Sequence, residues 1–281
     1  MVATCARLPE SAAIEVVRDD VPRGRVRAAL FDFDGTVSLV RTGWQDVMVP
    51  MFVEVLAATP AGRDEPGLAE SVGEWVYTLT GKQTIHQTIR LAEEVTRRGG
   101  VAADPLVYKH EYLDRLWTRV AHRVEALESG VRDPEDLLVP GVRDLLANLR
   151  ARGITCCLAS GTDRDCVLRE ARALRVDPYF DGGIGGALDD WRSFSKAMVI
   201  DRLLADLGLA GPELVAFGDG FVEIENTVAV GGLAVGAATD EERRCGLDAW
   251  KRARLIRAGA HVIVPDFREQ ELLVAWLMNE V

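Results

Sequence analysis

Ala28-Ala29-Leu30-Phe31 runs without a polar side chain into Asp32-Phe33-Asp34-Gly35-Thr36. A short apolar run bounded by charge and glycine reads as a buried strand that ends in a sharp turn. Residues two apart on a strand share a side, so Asp32 and Asp34 can converge on one small volume beyond the last apolar residue. Two carboxylates at about 4 Å repel by roughly 4 kcal/mol at an effective dielectric of 20, so the pair calls for a cation or a shared proton. Magnesium, which prefers oxygen ligands and bridges carboxylates to phosphate, meets that need. Taken alone, the same five residues also describe an acidic turn after an edge strand.

Further along, Gly153-Ile154-Thr155-Cys156-Cys157-Leu158-Ala159 is a second apolar strand, followed by Ser160-Gly161-Thr162. A hydroxyl and exposed amides at a strand-to-helix turn can hold a phosphate oxygen, or Ser160 and Thr162 can simply cap the helix from about Asp165. Lys196, in Ser193-Phe194-Ser195-Lys196, opens a helical pattern carrying Met198, Ile200, Leu203, Leu204 and Leu207. Leu214-Val215-Ala216-Phe217-Gly218-Asp219 is another strand ending in an acid, with Glu223 four residues on, within reach along a nascent helix. Apolar strands that deliver acid, hydroxyl, cation and acid near their carboxyl ends describe an open α/β sheet with its ligand crevice at that edge.

That order resembles the haloacid dehalogenase superfamily of phosphohydrolases, whose four motifs match Asp32-Phe33-Asp34-Gly35-Thr36-Val37, Ser160-Gly161-Thr162, Lys196, and Gly218-Asp219 with Glu223. The likeness runs from about Val26 to Pro265, and it departs in Glu223, where the pattern commonly has aspartate. The resemblance implies a Rossmann-like parallel-sheet core. It further implies Asp32 as nucleophile, forming an aspartyl phosphate, and Asp34 as the acid that protonates the leaving oxygen and later activates water. Mg2+ would sit on the Asp32 carboxylate, the Asp34 backbone carbonyl and Asp219, with Glu223 as a further ligand or neighbour. Ser160 and the Gly161 amide would hold the transferring group, Lys196 would offset its charge, and Gly35, Thr36 and Thr162 would lie against the substrate. An acid at position 34 separates phosphatases and phosphomutases from true dehalogenases, since displacing halide needs no leaving-group proton.

More than a hundred residues separate Thr36 from Ser160, far beyond what a strand connection requires. Apolar residues recur there at helical spacing: Val47, Met51, Val55; Val72, Trp75, Val76, Leu79; Ile85, Ile89; and Tyr108, Tyr112, Leu116, Val120, Val124. Breaks fall at Pro60-Ala61-Gly62, Gly99-Gly100 and Asp133-Pro134. The expected organisation is a catalytic core over 1–40 and 137–281 with an inserted α-helical cap over 41–136. That insertion resembles the mobile cap of the phosphoglycolate phosphatase and beta-phosphoglucomutase branch, a lid that excludes water and limits the substrate to a small phosphorylated metabolite. Within it, Thr80-Gly81-Lys82-Gln83-Thr84-Ile85-His86 is the expected specificity loop, with Lys82, Gln83 and His86 toward substrate. Its alternative is a helix-start turn with a solvated lysine. Arg41 and Trp44, past the first motif, are further pocket candidates.

Composition is consistent with a cytoplasmic enzyme acting as monomer or homodimer. The chain has 281 residues, 48% of them hydrophobic, and a net charge of −11, which speaks against general nucleic-acid binding. No stretch has the uncharged apolar length of a membrane helix, and Met1 to Pro9 shows no signal-peptide pattern. Five cysteines, with Cys156 and Cys157 adjacent on a strand, fit reduced thiols. An extra strand is expected over 12–18, a helix around Ala249 to Ala258, and an amphipathic helix from Glu271 to Met278. Besides a phosphatase, the pattern admits a phosphomutase on a sugar phosphate, and a sensor that only binds a phosphorylated metabolite.

Overall fold

The computed structural model describes residues 6–8, 11–19 and 21–281, so most of the stretch from Met1 to Pro9, expected to show no signal-peptide pattern, lies outside the described residues. The fold divides into two compact units, one taking the chain up to Thr42 and again from Ala126 to Val281, the other Gly43–Glu125.

The first unit is an eight-stranded sheet. Its strands are β1 (Ala6–Arg7), β2 (Glu15–Val16), β3 (Ala28–Phe31), β4 (Thr155–Asp163), β5 (Ile184–Ala187), β6 (Leu214–Gly218), β7 (Leu233–Ala237) and β8 (Val262–Val264). They lie in the order β1-β2-β8-β7-β6-β3-β4-β5. The six from β8 to β5 are parallel, and β1 and β2 add an antiparallel pair against β8. The extra strand expected over 12–18 is thus two residues long and pairs through Glu15↔Ile263 and Val16↔Val262. From β3 the chain first winds toward β4 and β5, then returns to the other side for β6, β7 and β8. The β3–β6 boundary is therefore the topological switch point, where open parallel sheets form their ligand crevice.

Helices of the second unit and of its exit are α1 (Gln45–Ala57), α2 (Leu68–Thr78), α3 (Thr84–Arg97) and α4 (Pro105–Glu128). Those that follow are α5 (Val142–Ala151), α6 (Arg164–Ala173), α7 (Lys196–Leu207), α8 (Phe221–Ala229), α9 (Ala249–Ala258) and α10 (Gln270–Leu277). All four residues of β3 are buried, because both faces of the sheet are covered. Ala28 and Leu30 pack with Ile200 and Leu203 of α7, while Phe31, pointing the other way, stacks on Phe217 at 4.6 Å between centroids. On the β7–β8 side, Ala234 and Ile263 pack with Ile224 of α8 and Leu255 of α9.

Local chemistry fixes the helices that matter for the site. The Ser195 side chain accepts from the Met198 amide and starts α7, which ends at Gly208 in the left-handed region. Asp248 caps α9 by accepting from the Lys251 amide, and Gly259, with φ of 99°, ends it.

The second unit has a core of its own, in which Met51, Phe52 and Leu56 of α1, Val72 and Val76 of α2, Leu91 of α3, and Tyr112 and Leu116 of α4 are buried together. Its helices follow the spacing seen in the sequence. Among the described residues no helix is long and apolar enough to cross a membrane, and Cys156, Cys157, Cys166 and Cys245 are free.

Candidate active site

Asp32 follows β3 directly, and its amide donates to the Phe217 carbonyl at 2.9 Å, carrying the β3–β6 pairing one residue past the strand. Its side chain, 7% exposed, is fixed at both oxygens: Oδ1 accepts from the Phe33 amide at 2.8 Å and Oδ2 lies 2.7 Å from Lys196 Nζ. The same ammonium lies 2.7 Å from Glu223 Oε2, and Glu223 Oε1 accepts from the Gly220 amide at 2.8 Å. One buried lysine thus bridges two carboxylates that reach it from β3 and α8. Position 218 must be glycine, since a Cβ there would fall 2.1 Å from Glu223 Oε1.

Burial pushes the Asp32 carboxyl well above its ordinary value, and Glu223 and Asp219 add to the rise against the pull of Lys196. Burial acts on Lys196 in the opposite sense, but the Asp32 and Glu223 carboxylates outweigh it and hold the ammonium charged. Asp219, at the end of β6, completes an acidic group: Asp32, Asp219 and Glu223 each offer one oxygen, all within 4.8 Å of one another. Carboxylate oxygens converging in this way, with negative charge in excess of the one lysine between them, suit a hard divalent cation such as Mg2+.

Past Asp32 the chain turns at once. The Val37 and Ser38 amides both donate to the Phe33 carbonyl at 2.8 Å, and Gly35 takes φ of 73°. A Cβ on Gly35 would lie 2.3 Å from Asp219 Oδ2, so this glycine is required both by its conformation and by the approach of Asp219. The turn carries Asp34 away from the acidic group toward β4. There its Oδ2 accepts from the Thr162 hydroxyl at 2.7 Å, while Oδ1 accepts no hydrogen bond and has Arg41 Nε at 3.9 Å. Burial raises the Asp34 carboxyl to about 6; Arg41 opposes that rise, Glu170 adds to it, and Thr162 opposes it. The two acids of the first motif therefore sit in different electrostatic settings.

Arg41 differs from its expectation as a pocket-lining cation. It is 7% exposed and its guanidinium is taken by Glu170 of α6, through Nε at 3.0 Å and Nη2 at 2.7 Å to Oε1. What it offers the site is charge beside Asp34. Ser160 is buried and its Oγ accepts from the Thr162 amide at 3.0 Å. The strand β4 continues through Ser160-Gly161-Thr162 to Asp163 with an irregular register against β5, so the expected turn is a distorted strand end. Thr36 is fully buried, and its hydroxyl has no hydrogen-bond partner. Lys196 reaches the acids from the first position of α7, the helix its pattern opens.

Four candidates belong to the second unit. Trp44 is half-buried at the start of α1 and packs against that unit's core. Gly81, with φ of 91°, and the Lys82 amide, donating to Leu79, make a turn into α3, and Gln83 is its N-cap residue. Lys82 is exposed, Gln83 buried and His86 half-buried; burial and then the Lys82 charge hold His86 below its ordinary value.

Three residues at the site had no place in the sequence reading. Glu170 is one. The others are Lys251, at the third position of α9, whose Nζ lies 2.8 Å from Asp219 Oδ2, and Glu241, whose Oε1 is 2.6 Å from the same ammonium. Glu241 had a weak signal, lying in the acidic stretch Asp240-Glu241-Glu242 that begins three residues past β7. Lys251 had none, being one basic residue among several on α9.

A family model described as haloacid dehalogenase-like hydrolase matches residues 26–227. Among solved structures, the chain is similar to a conserved haloacid dehalogenase-like protein of unknown function from Agrobacterium tumefaciens (17% identity, TM-score 0.60, covering 89% of this chain and 98% of that one). It is also similar to a predicted phosphoglycolate phosphatase from Haemophilus somnus (16%, TM-score 0.59, 89% and 98%) and to a beta-phosphoglucomutase from Clostridium difficile (14%, TM-score 0.55, 83% and 98%). At these identities the likeness is one of fold. No curated protein matches the chain.

Proposed function

The chain belongs to the haloacid dehalogenase-like hydrolases, and from that premise we propose that it is a Mg2+-dependent phosphatase of a small phosphorylated metabolite, working through an aspartyl phosphate on Asp32. The observation that carries this reading is the Lys196 ammonium 2.7 Å from Asp32 Oδ2, at the switch point of the sheet and beside a second, separately held carboxylate, Asp34. Phosphoryl transfer asks for in-line positioning and for charge neutralisation around the equatorial oxygens, and little else. Asp32 has its carboxylate oriented from both sides, by the Phe33 amide and by Lys196. An Asp32 oxygen attacks phosphorus, the bond to the ester oxygen breaks, and Lys196 with the Ser160 hydroxyl and the Gly161 amide takes up charge on the transferring group. The departing oxygen receives the Asp34 proton, for which a carboxyl raised to about 6 and held in place by Thr162 is suited. Asp34, now ionised, takes a proton from water as that water attacks the phosphoryl group, and phosphate leaves with the Asp32 carboxylate regenerated.

Asp32, Asp219 and Glu223 would hold the Mg2+, with the Asp34 carbonyl as a further oxygen, and the ion supplies the positive charge that lets a carboxylate approach a phosphate dianion. Asp32→Asn tests the assignment. It keeps the side chain's shape, and hydrolysis of p-nitrophenyl phosphate should fall to background while the circular dichroism spectrum is unchanged. Turnover that survives this substitution would end the reading.

A further inference from the structure

The acidic group at the switch point is flanked by a second lysine. Lys251 Nζ lies 2.8 Å from Asp219 Oδ2 and 2.6 Å from Glu241 Oε1, and its side chain is only 11% exposed. This arrangement is built from several elements. Lys251 stands in the first turn of α9 behind the Asp248 cap. Glu241 sits on a loop closed by the Thr239↔Leu247 bridge and by the Asp248 amide donating to the Ala238 carbonyl at 2.8 Å. Glu241 Oε2 also accepts from the Thr42 hydroxyl at 3.2 Å. Gly35 leaves room for the meeting, since a Cβ there would lie 2.3 Å from Asp219 Oδ2 and 3.1 Å from Glu241 Oε1.

Four carboxyl groups, Asp32, Asp219, Glu223 and Glu241, meet two ammonium groups, Lys196 and Lys251, so acids outnumber the lysines between them. Lys196 lies 2.7 Å from both Asp32 and Glu223 and makes no ion pair with Asp219. Lys251 is on Asp219 itself, so an ammonium and a divalent ion contend for the same carboxylate.

We propose that Lys251 is a built-in cation at Asp219, which a divalent ion displaces onto Glu241 when it binds, so that the chain holds its metal more loosely than the acidic group alone would. The inference rests on reading Asp32, Asp219 and Glu223 as the cation site. Glu241 gives the displaced ammonium a partner, so the exchange costs one ion pair and leaves no buried charge alone. The same pair sets the concentration of free cation at which the site fills.

Direct binding to the full chain tests this without reference to turnover. Mg2+ titrated calorimetrically, and Mn2+ followed by the resonance of the free ion, should bind Lys251→Met about tenfold or more tightly than wild type. Lys251→Met leaves Asp219 and Glu241 facing one another, so the double variant Lys251→Met with Glu241→Gln is measured beside it, with melting curves for all. The double variant has the wild-type net charge, and it too should bind more tightly than wild type, because the competitor is gone. Equal or weaker binding by Lys251→Met would make the lysine a support for Asp219 and overturn displacement. A double variant that returns to wild-type affinity would reduce the effect to net charge and overturn it as well. Failure of every protein, wild type included, to bind either ion would instead strike the cation site and take this inference with it.

Discussion

Asp34 and Asp32 are two residues apart, yet their surroundings differ, as the different roles proposed for them require. Asp34 has Arg41, Glu170 and Thr162 around it and a carboxyl raised to about 6, chiefly by burial. A group that must give a proton to the leaving oxygen loses rate once it ionises. We therefore expect kcat/KM for an alkyl phosphate to decline above about pH 6, approaching tenfold per pH unit, and to decline much less for an aryl phosphate whose leaving group needs no proton. Asp34→Asn should flatten that alkaline limb and cost the alkyl ester far more than the aryl one; equal losses on both would remove Asp34 from the proton transfer. Stability carries the same signature. The folded state binds this proton more tightly than the unfolded chain, so the contribution is fully present below the ordinary carboxylate value of 3.8 and is lost as pH rises through about 6. Melting curves should show Asp34→Asn gaining on wild type above pH 6 and not below pH 4.

At the scale of elements, the stretch after β3 is pinned to α6 through Arg41 and Glu170, both nearly inaccessible. Breaking a buried pair from one side strands a charge, so Arg41→Met should cost about 3–5 kcal/mol, and the double replacement of both residues by Met should recover much of it. Urea titration of the three variants decides this, and additive losses would show the two side chains to be independent. Removing the Arg41 charge also lifts the Asp34 carboxyl further, so with Arg41→Gln the alkaline limb should move upward. Elements differ in how far they could be read beforehand. Helices α7 and α9 follow from periodicity, Ser195 and Asp248 caps and closing glycines, and β3 and β6 from uninterrupted apolar runs. Strand β5, Ile184-Gly185-Gly186-Ala187, carries two glycines and too little side chain to show a pattern; its place is set by pairing with β4. The distortion of β4 beyond Ala159 is equally a property of its neighbours. Local sequence marked the acids and Lys196 because each stands next to a turn or helix start. Glu170 and Lys251 sit inside charged helices, where a side chain bound for the interior looks like one bound for water, and only the fold brings them to Asp34 and Asp219.

On the scale of the whole molecule, the chain has two units, and the second has a core of its own. The sheet unit holds Asp32, Asp34, Ser160, Lys196, Asp219 and Glu223, the groups proposed to act on a phosphoryl group. Apart from the leaving-group proton proposed for Asp34, these groups address the phosphoryl end of an ester and not the rest of it. Selectivity would then come from residues with donors and acceptors outside that set, and we propose the turn into α3 as a source of them. Gly81 bends the chain, Lys82 presents an exposed ammonium, and Gln83 holds an amide at the helix start. The turn packs no part of its unit's buried apolar cluster, so shortening its side chains should leave the fold in place. Lys82→Ala and Gln83→Ala are accordingly expected to raise KM for the preferred metabolite, identified from a panel of phosphosugars, nucleoside monophosphates and phosphoglycolate, by about tenfold or more, the loss of one charge-assisted hydrogen bond. Hydrolysis of p-nitrophenyl phosphate should change little, because that ester engages the phosphoryl site and hardly anything else. If both substrates suffer alike, or neither does, the turn has no part in choosing the substrate, and the exposed lysine is a solvated residue at the start of a helix.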